Sequence, residues 1–289
     1  MNMLLYWLVR GLVAMLQALP LPLVAKFGRA CGGLAFHLDG RHRRIVLKNL
    51  TQCFGAEKSP TEISLLAQEN FRRIGENYTA AIKTSAMSAD ALRPHVEFTG
   101  FDRFPQKSGD TLLPNIVVAI GHFGNFELHA RFNDLRADYQ CVTTYRGFKQ
   151  PWMNRLLRDL RSTSGCLYFE RRSDGPLLRA TMSRGGIILG LLADQNSKGL
   201  RAPFLGHDCN TGLAPAVLAL RYEADLYSAI CYRIAPAKWR LELGEIIPTR
   251  ENGQPRSSEA IMRDVNLAFE AGVRRDPANW FWVHRRWKD

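Results

Sequence analysis

Residues 115–131 read NIVVAIGHFGNFELHAR, and the fold that we predict starts from this stretch. Ile116–Ile120 is apolar and mostly β-branched without alternation, which indicates a strand covered on both faces. The strand ends at Gly121, Gly124 allows a turn, and Asn125 is a suitable N-cap for a following helix. The sequence therefore predicts a buried strand, a tight turn and a helix.

The predicted turn carries two ionisable residues. His122 follows the carboxyl end of the strand, where open α/β sheets bind their ligands, and Glu127 falls in the first turn of the helix. On one continuous helix the two side chains would point about 140° apart, so they meet only because a turn separates them. A carboxylate bonded to one imidazole nitrogen fixes the tautomer and favours protonation of the other nitrogen. The alternative is that both residues only cap a helix.

Strands and helices alternate through most of the chain. A capping box at Ser59–Glu62 predicts the start of a long helix. Polar residues follow several of the predicted strands, at Tyr145-Arg146, Glu170-Arg171 and Asp194-Gln195. This order predicts an α/β fold with a mixed, largely parallel central sheet flanked by helices.

Composition limits the partners and the compartment. The chain has 289 residues and 46% hydrophobic residues, with 39 Lys and Arg against 27 Asp and Glu, for a net charge of +12. Such an excess indicates nucleic acid, an anionic bilayer or an acidic ligand as the partner, or simply a solubilising surface. The six cysteines are scattered without a Cys-x-x-Cys pair, so we expect a reducing compartment without disulfides or a zinc site.

Residues 1–38 are the most apolar part of the chain, with Arg10, Lys26 and Arg29 as their charged residues. The uncharged stretch 11–25 contains two prolines and is shorter than the roughly 20 apolar residues that a spanning helix needs. We predict that residues 1–38 form a membrane-anchoring hydrophobic helix that spans marginally or lies in the interface. The alternatives are a buried N-terminal helix and a signal peptide.

A basic cluster follows this apolar segment at residues 40–44, which read GRHRR. Basic residues beside an apolar segment indicate the cytoplasmic side of a membrane and attract anionic lipid. The cluster lacks the interleaved aromatic residues of a nucleic-acid surface, so we expect no nucleic-acid partner. Residues 39–289 are predicted to form one domain.

The late part of the chain contains a predicted loop and an aromatic tail. Residues 199–211 are predicted to be a loop, and its His207, Asp208 and Cys209 are too close in sequence to favour a shared metal ion. Residues 277–288, which we call the tail segment, are dense in aromatic and cationic side chains. The tail segment either lines a site or seals the edge of the domain.

Taken in order, these motifs resemble those of the bacterial lysophospholipid acyltransferase family typified by the lipid A lauroyl and myristoyl acyltransferases. The resemblance covers nearly the whole chain. It rests on the apolar N-terminus and on four motifs. The first, Gly121-His122-Phe123-Gly124-Asn125-Phe126-Glu127, is similar to the family's His-x4-Glu motif. The other three are Tyr145-Arg146, Ala193-Asp194-Gln195 and the Trp-x-Trp-x-His-Arg-Arg that ends at Arg286.

This resemblance implies a glycerolipid-acyltransferase-like fold in which residues 39–289 are the acyltransferase domain. It implies transfer of a fatty acyl group from an acyl carrier protein thioester, or acyl-CoA, to a hydroxyl of a lipid A precursor. No metal or other cofactor is implied. The expected partners are acyl carrier protein, a membrane lipid acceptor and the anionic surface of the inner membrane, and the expected location is the cytoplasmic face of that membrane.

The resemblance also assigns roles to single residues. His122 would be the general base on the acceptor hydroxyl, and Glu127 its orienting partner. The oxyanion of the tetrahedral intermediate needs donors, and a backbone N–H near Gly124 or the side chain of Arg171 would supply them. The remaining candidates for binding or shaping the site are Asn125, Arg146, Asp194 and Gln195.

Other functions stay open at this point. An acyltransferase of the same fold with another glycolipid or polar lipid as acceptor is the nearest alternative, because Phe126 and Leu205 depart from common family residues. A hydrolase is disfavoured because the chain lacks a Gly-x-Ser-x-Gly elbow. A non-catalytic lipid-binding or nucleic-acid-binding protein is disfavoured by the intact pair of His122 and Glu127.

Overall fold

A computed structural model of the chain describes residues 2–107, 109, 111–134 and 137–288. Short 3₁₀ helices join several of its elements, and one of them, Phe126–Asp134, follows the predicted turn. The α-helices of these described residues are α1 (Asn2–Ala18), α2 (Leu21–Leu38), α3 (Gly40–Phe54), α4 (Pro60–Thr84), α5 (Ala89–Leu92), α6 (Pro151–Arg161), α7 (Gly175–Met182), α8 (Ala214–Arg221) and α9 (Ser258–Arg275).

The strands form one large sheet and two small hairpins in the described part of the chain. The large sheet has seven strands in the order β1-β9-β8-β2-β5-β3-β4, and the hairpins pair β6 with β7 and β10 with β11. The strands are β1 (Val96–Thr99), β2 (Ile116–Ile120), β3 (Gln140–Tyr145), β4 (Leu167–Glu170), β5 (Ile187–Leu192), β6 (Asn196–Phe204), β7 (His207–Thr211), β8 (Asp225–Ala235), β9 (Lys238–Ile247), β10 (Arg250–Glu251) and β11 (Gln254–Pro255).

The large sheet is mostly parallel. Strand β2 pairs in parallel with β5 and β8, and β3 pairs in parallel with β5 and β4. The one antiparallel pair of this sheet joins β8 to β9, and β1 runs parallel to β9 at the edge. The predicted mixed, largely parallel sheet flanked by helices is therefore confirmed.

Strand β2 is buried on both faces, as its unbroken apolar pattern predicts. Val117 and Ala119 pack in a cluster with residues of α8 and α9. Ile116, Val118 and Ile120 point to the other face, into a cluster that contains Phe104, Phe132 and Tyr139. Side chains alternate across a strand, so a central parallel strand needs apolar residues at every position.

One local prediction was wrong, and another is met by a different type of helix. Residues 199–211, predicted to be a loop, belong to the hairpin of β6 and β7, which turns at Leu205 and Gly206. Both turn residues have positive φ, a conformation that Gly adopts freely and Leu does not. The helix predicted after Asn125 is a 3₁₀ helix, which winds more tightly than an α-helix and so directs its side chains differently.

The apolar N-terminus forms two helices where one was expected. Helix α1 ends at Ala18, and Pro20 is the N-cap of α2. In the described residues, neither these nor any other helix combines the length and the apolar character that crossing a membrane requires. The spanning form of the predicted anchor is thus not found, whereas the interfacial form stays a prediction.

Helix α2 crosses α4 at small residues. Gly28 and Gly32 on α2 meet Gly75 and the backbone of Phe71 on α4. A Cβ on Gly32 would lie 2.1 Å from the carbonyl oxygen of Phe71, a backbone atom that cannot rotate away. Because α2 contributes buried residues such as Val24, this close crossing ties the N-terminal helices to the rest of the protein.

We expect Gly32→Ala and Gly33→Ala to change stability in opposite directions. Alanine favours a helix over glycine by roughly 0.5–1 kcal/mol at both positions. At Gly32 the clash with Phe71 adds an overpacking cost of about 1–3 kcal/mol, whereas at Gly33 the nearest atom, in the Arg72 side chain, is 3.5 Å away. Thermal unfolding midpoints should therefore fall for Gly32→Ala and rise slightly for Gly33→Ala. Equal midpoints would show that the crossing is loose.

Candidate active site

The register of β2 and β5 brings His122 and Asp194 together. These neighbouring strands are parallel, and Ile120 pairs with Leu192 at their carboxyl ends. His122 and Asp194 each follow two residues after that pair, so they emerge side by side at the edge of the sheet. This is the edge where ligands of α/β sheets bind.

The carboxylate of Asp194 holds His122 at two points. Its Oδ1 lies 2.6 Å from Nδ1 of the imidazole, and its Oδ2 accepts the backbone N–H of His122 at 2.7 Å. Oδ2 also accepts the indole N–H of Trp280 at 2.7 Å. An ionised carboxylate only accepts hydrogen bonds, so the proton between the two side chains belongs to Nδ1. Nε2 of His122 is thereby left as the basic nitrogen.

Asp194 stays ionised although it is fully buried. Burial raises its pKa, but the charge of His122, the hydrogen bonds from the ring and backbone of His122, and the bond from Trp280 together outweigh burial and hold the pKa below the ordinary value. The His122 side chain is 14% exposed. An ionised, buried aspartate behind a partly open histidine is an arrangement that favours an imidazolium during a reaction.

The structure corrects the predicted partner of His122. Glu127 forms an ion pair with Arg161 of α6, with 2.6 Å between Oε1 and Nη2 and 3.2 Å between Oε2 and Nε. The 3₁₀ helix turns Glu127 towards α6, while the register of the sheet presents Asp194 to the ring of His122. The guanidinium of Arg161 also lies 4.8 Å from the ring centre of Tyr168.

The turn itself depends on Gly124. Its φ of 52° is in the left-handed region, and a Cβ there would lie 2.4 Å from the carbonyl oxygen of Cys231. The N–H of Gly124 donates to the carbonyl oxygen of Asn279 at 3.0 Å. That N–H is therefore already engaged, which differs from the oxyanion role expected for it. Gly124 shapes the turn by its conformation.

His122 lies where two cavities meet. The smaller, of about 240 Å³, is mostly apolar, and its wall includes Ile74, Ile82, Leu157, Leu160 and Phe281. The larger, of about 680 Å³, opens beyond β3, β4 and β5 and has more polar residues in its wall. Both cavities have the same six residues in their walls, namely His122, Phe126, Glu127, Ala130, Arg161 and Tyr168.

The other predicted site residues divide between the two cavities. Asn125 and Gly124 line the smaller one, and Asn125 Oδ1 is buried without a hydrogen-bond partner. Arg146, Arg171 and Gln195 line the larger one. Asp194 lies behind His122. The structure thus brings the predicted residues around one centre, with His122 and Glu127 at the junction.

Two site residues had no role in the sequence-based prediction. Arg161 belongs to none of the motifs taken from the sequence, and Trp280 belongs to the tail segment without a role of its own. Nothing in the spacing of the sequence joins residues 122, 194 and 280, because their meeting depends on the strand order. Within the described ranges, no group of three His, Cys, Asp or Glu residues could hold a metal ion.

Comparisons with known proteins agree on one family. Residues 1–289 match the family model described as bacterial lipid A biosynthesis acyltransferase. The chain is 24% identical to the lipid A biosynthesis palmitoleoyltransferase of Escherichia coli (strain K12), over 98% of this chain and 92% of that protein. It is similar to the same extent, with the same coverage, to the lipid A biosynthesis acyltransferase of Shigella flexneri.

Proposed function

The chain belongs to the bacterial lipid A biosynthesis acyltransferase family and is an acyltransferase, and from that premise we propose that it moves a fatty acyl group from a thioester to a hydroxyl of a lipid A precursor, with His122 as general base. The donor is an acyl carrier protein thioester or acyl-CoA. One observation carries the role of His122: Asp194 holds Nδ1, which leaves Nε2 as the base at the junction of two cavities.

The reaction is a direct transfer in which the thioester and the acceptor hydroxyl are converted into an oxygen ester and a free thiol. Nε2 of His122 takes the proton of the acceptor hydroxyl while its oxygen bonds to the thioester carbonyl carbon. The tetrahedral intermediate then collapses, the carbon–sulfur bond breaks, and the thiolate leaves with the proton from the imidazolium. General-base catalysis of this kind contributes roughly 10²–10⁴ to a rate. Ionised Asp194 stabilises the imidazolium between the two proton transfers.

The smaller cavity suits the acyl chain. Its wall consists mainly of aliphatic and aromatic side chains from α4, α6 and the tail segment, including Ile74, Leu157 and Phe281. An alkyl chain that enters such a cavity loses contact with water, at about 25 cal/mol for each Å² of apolar surface removed. The carbonyl end of the chain would then lie beside His122, at the junction of the cavities.

The larger cavity suits the polar parts of the substrates. Arg146 and Arg171 in its wall are cations that can meet a phosphate of a lipid A precursor or of the donor's prosthetic arm. Arg171 Nε donates to Thr144 Oγ1, which leaves the other N–H groups of its guanidinium for a substrate or for the oxyanion. Gln195 completes this wall beside Asp194.

A membrane-surface location is supported by the N-terminal helices. Large apolar side chains of α1 and α2 are exposed to solvent, among them Leu4 at 71%, Trp7 at 63% and Leu8 at 63%. Contiguous exposed apolar residues mark an interaction surface, and helices of this kind lie in the lipid interface. The basic residues at 40–44 on α3 add attraction for the anionic inner-membrane surface.

Surface substitutions test this location. Removing residues 1–38 would also remove buried residues such as Val24, so the exposed face is changed instead. A Leu4→Ser, Trp7→Ser and Leu8→Ser triple variant should no longer float with vesicles of phosphatidylethanolamine and phosphatidylglycerol. A matched triple variant at other exposed leucines, Leu65→Ser, Leu177→Ser and Leu267→Ser, should float like wild type. Equal flotation of both variants would contradict the proposed surface.

Reconstitution tests the reaction. Wild-type protein is mixed with acyl carrier protein thioester or acyl-CoA and with a lipid A precursor, and products are followed by mass spectrometry. The expected product is the acceptor plus one acyl group, with the free thiol released in equal amount. A second arm offers other glycolipid and phospholipid acceptors. Acylation of one of these in place of the lipid A precursor would overturn the proposed acceptor, and thiol release without acylation would indicate a hydrolase.

A further inference from the structure

The tail segment is built into the back of the active site. Trp280 and Trp282 are buried almost completely. The side-chain amide of Asn70 on α4 donates to the carbonyl oxygens of Ala278 and Trp280, at 2.9 and 2.6 Å. On the other side of the tail, the amide of Asn49 on α3 donates to the carbonyl oxygens of Trp282 and His284. The tail backbone is therefore fixed by two helices of the N-terminal half.

The tail also binds the catalytic turn directly. Phe123 and Trp280 form an isolated antiparallel bridge, and Asn279 accepts the N–H of Gly124. The indole of Trp280 thus extends from a backbone that is fixed against the turn. Its N–H reaches Oδ2 of Asp194 at 2.7 Å, the same oxygen that accepts the backbone N–H of His122.

We propose that Trp280 is a positioning residue for acyl transfer, whose indole N–H fixes the Asp194 carboxylate and sets how strongly that carboxylate draws the proton of the His122 ring. The inference rests on the proposed function, in which His122 is the base. Trp280 acts through Asp194, which separates it from the reacting atoms.

The direction of the effect follows from charge. A hydrogen bond to a carboxylate spreads its negative charge and lowers its basicity. Without the indole N–H, Asp194 keeps two donors, both from His122, and carries more unbalanced charge. That charge favours the protonated imidazole, so the ring holds its second proton up to a higher pH. Because the base acts in its neutral form, activity then appears at a higher pH than in the wild type.

The other ionisable groups around this pair, which include Glu127, Arg161 and Tyr168 at the junction of the cavities, remain the same. His284 and Arg286 of the tail interact electrostatically with Asp194, and His284 also with His122. Arg286 is fully buried and donates to the carbonyl oxygens of Gln195 and Asn210. A change that is confined to the indole N–H leaves these groups in place, so a shift can be assigned to Trp280.

The chain offers a matched control for this test. Trp282 is also a buried indole in the same aromatic cluster, and its N–H donates to the carbonyl oxygen of Pro277 at 2.7 Å. Trp280→Phe and Trp282→Phe each replace an indole by a phenyl ring and remove one hydrogen bond of 2.7 Å. Only the first of these bonds ends on Asp194.

Two measurements on the full chain give the readout. In the pH dependence of kcat/KM, we expect the acid limb of Trp280→Phe to move to higher pH by about half to one unit, which lowers the rate on that limb by roughly three- to tenfold, with little change in KM. Trp282→Phe should keep the wild-type limb. In proteins with ¹³C-labelled histidine, the His122 ring resonance, identified by its loss in His122→Ala, should titrate at a correspondingly higher pH in Trp280→Phe alone.

The outcomes separate this inference from the proposed function. Identical titrations in both tryptophan variants overturn the role of Trp280 and leave His122 as base. A shifted titration together with full transfer by His122→Ala overturns the proposed function, and what remains of the inference is the effect of the Trp280 indole on the His122 ring. Should Trp280→Phe fail to fold, one of the six indole N–H proton resonances must move upfield in Asp194→Asn; six unmoved resonances overturn the inference.

Discussion

Asp194→Asn is expected to lower acyl transfer by roughly 10²–10⁴, the contribution of a general base, while the protein keeps its fold. The amide oxygen must take the place of Oδ2, because two N–H groups, from His122 and Trp280, point at that atom. The NH₂ group then faces Nδ1 of the ring and forces Nδ1 to accept. The ring proton moves to Nε2, which can no longer take a proton from a hydroxyl.

The measurement is kcat/KM for transfer, with the thermal unfolding midpoint as a check on the fold. Asp208→Asn, the same change at an exposed aspartate of the β6–β7 hairpin, should behave like wild type. If Asp194→Asn kept more than about a tenth of the wild-type rate, the rate effect would fall short of general-base catalysis, and Asp194 would not be the residue that holds the base.

Glu127→Ala and Arg161→Ala are expected to slow transfer by similar factors of roughly ten to a hundred, and the double variant by no more than either single one. The two side chains form one bidentate pair at the junction of the cavities, so loss of either removes the same structure. Arg161 is also largely buried, and an unpaired buried charge disturbs its surroundings. The measurement is the transfer rate of the wild type and of the three variants, which together form a double-mutant cycle.

A matched change on the surface, Arg263→Ala on α9, should leave the rate unchanged. If the double variant slowed transfer by the product of the two single factors, Glu127 and Arg161 would act separately. Such a result would support the earlier expectation that Glu127 has its own role beside His122.

The sequence was sufficient to predict the sheet. A strand that is apolar at every position must be covered on both faces, and β2 is the centre of a largely parallel sheet as expected. The capping box of α4 is also present, with Ser59 and Glu62 bonded to each other's backbone N–H. Both features depend on residues that are close together in the sequence, so they can be predicted from the sequence.

Contacts that depend on the order of strands in the sheet could not be predicted from the sequence. Both His122 and Asp194 were recognised as polar residues after buried strands, but only the pairing of β2 with β5 makes them neighbours. Glu127 was close in sequence and was therefore preferred as the partner. Its ion pair with Arg161 depends on where α6 lies, which no local pattern specifies.

The tail segment shows the same limit at larger separation. Its aromatic and basic composition indicates that it lines a site or seals an edge, and each of these interpretations holds for a different residue. Trp282 packs in the core, whereas Trp280 donates to Asp194 across 86 positions of sequence. Only the packing of the tail between α3, α4 and the catalytic turn distinguishes the two indoles.

The role of His122 is tested most directly by one comparison of transfer rates. Wild-type protein and His122→Ala are incubated with a thioester donor and a lipid A precursor, and the acylated lipid is quantified by mass spectrometry. We predict that His122→Ala forms product at least about a hundredfold more slowly, with an unchanged thermal unfolding midpoint. Transfer at the wild-type rate by His122→Ala would contradict general-base catalysis by this histidine.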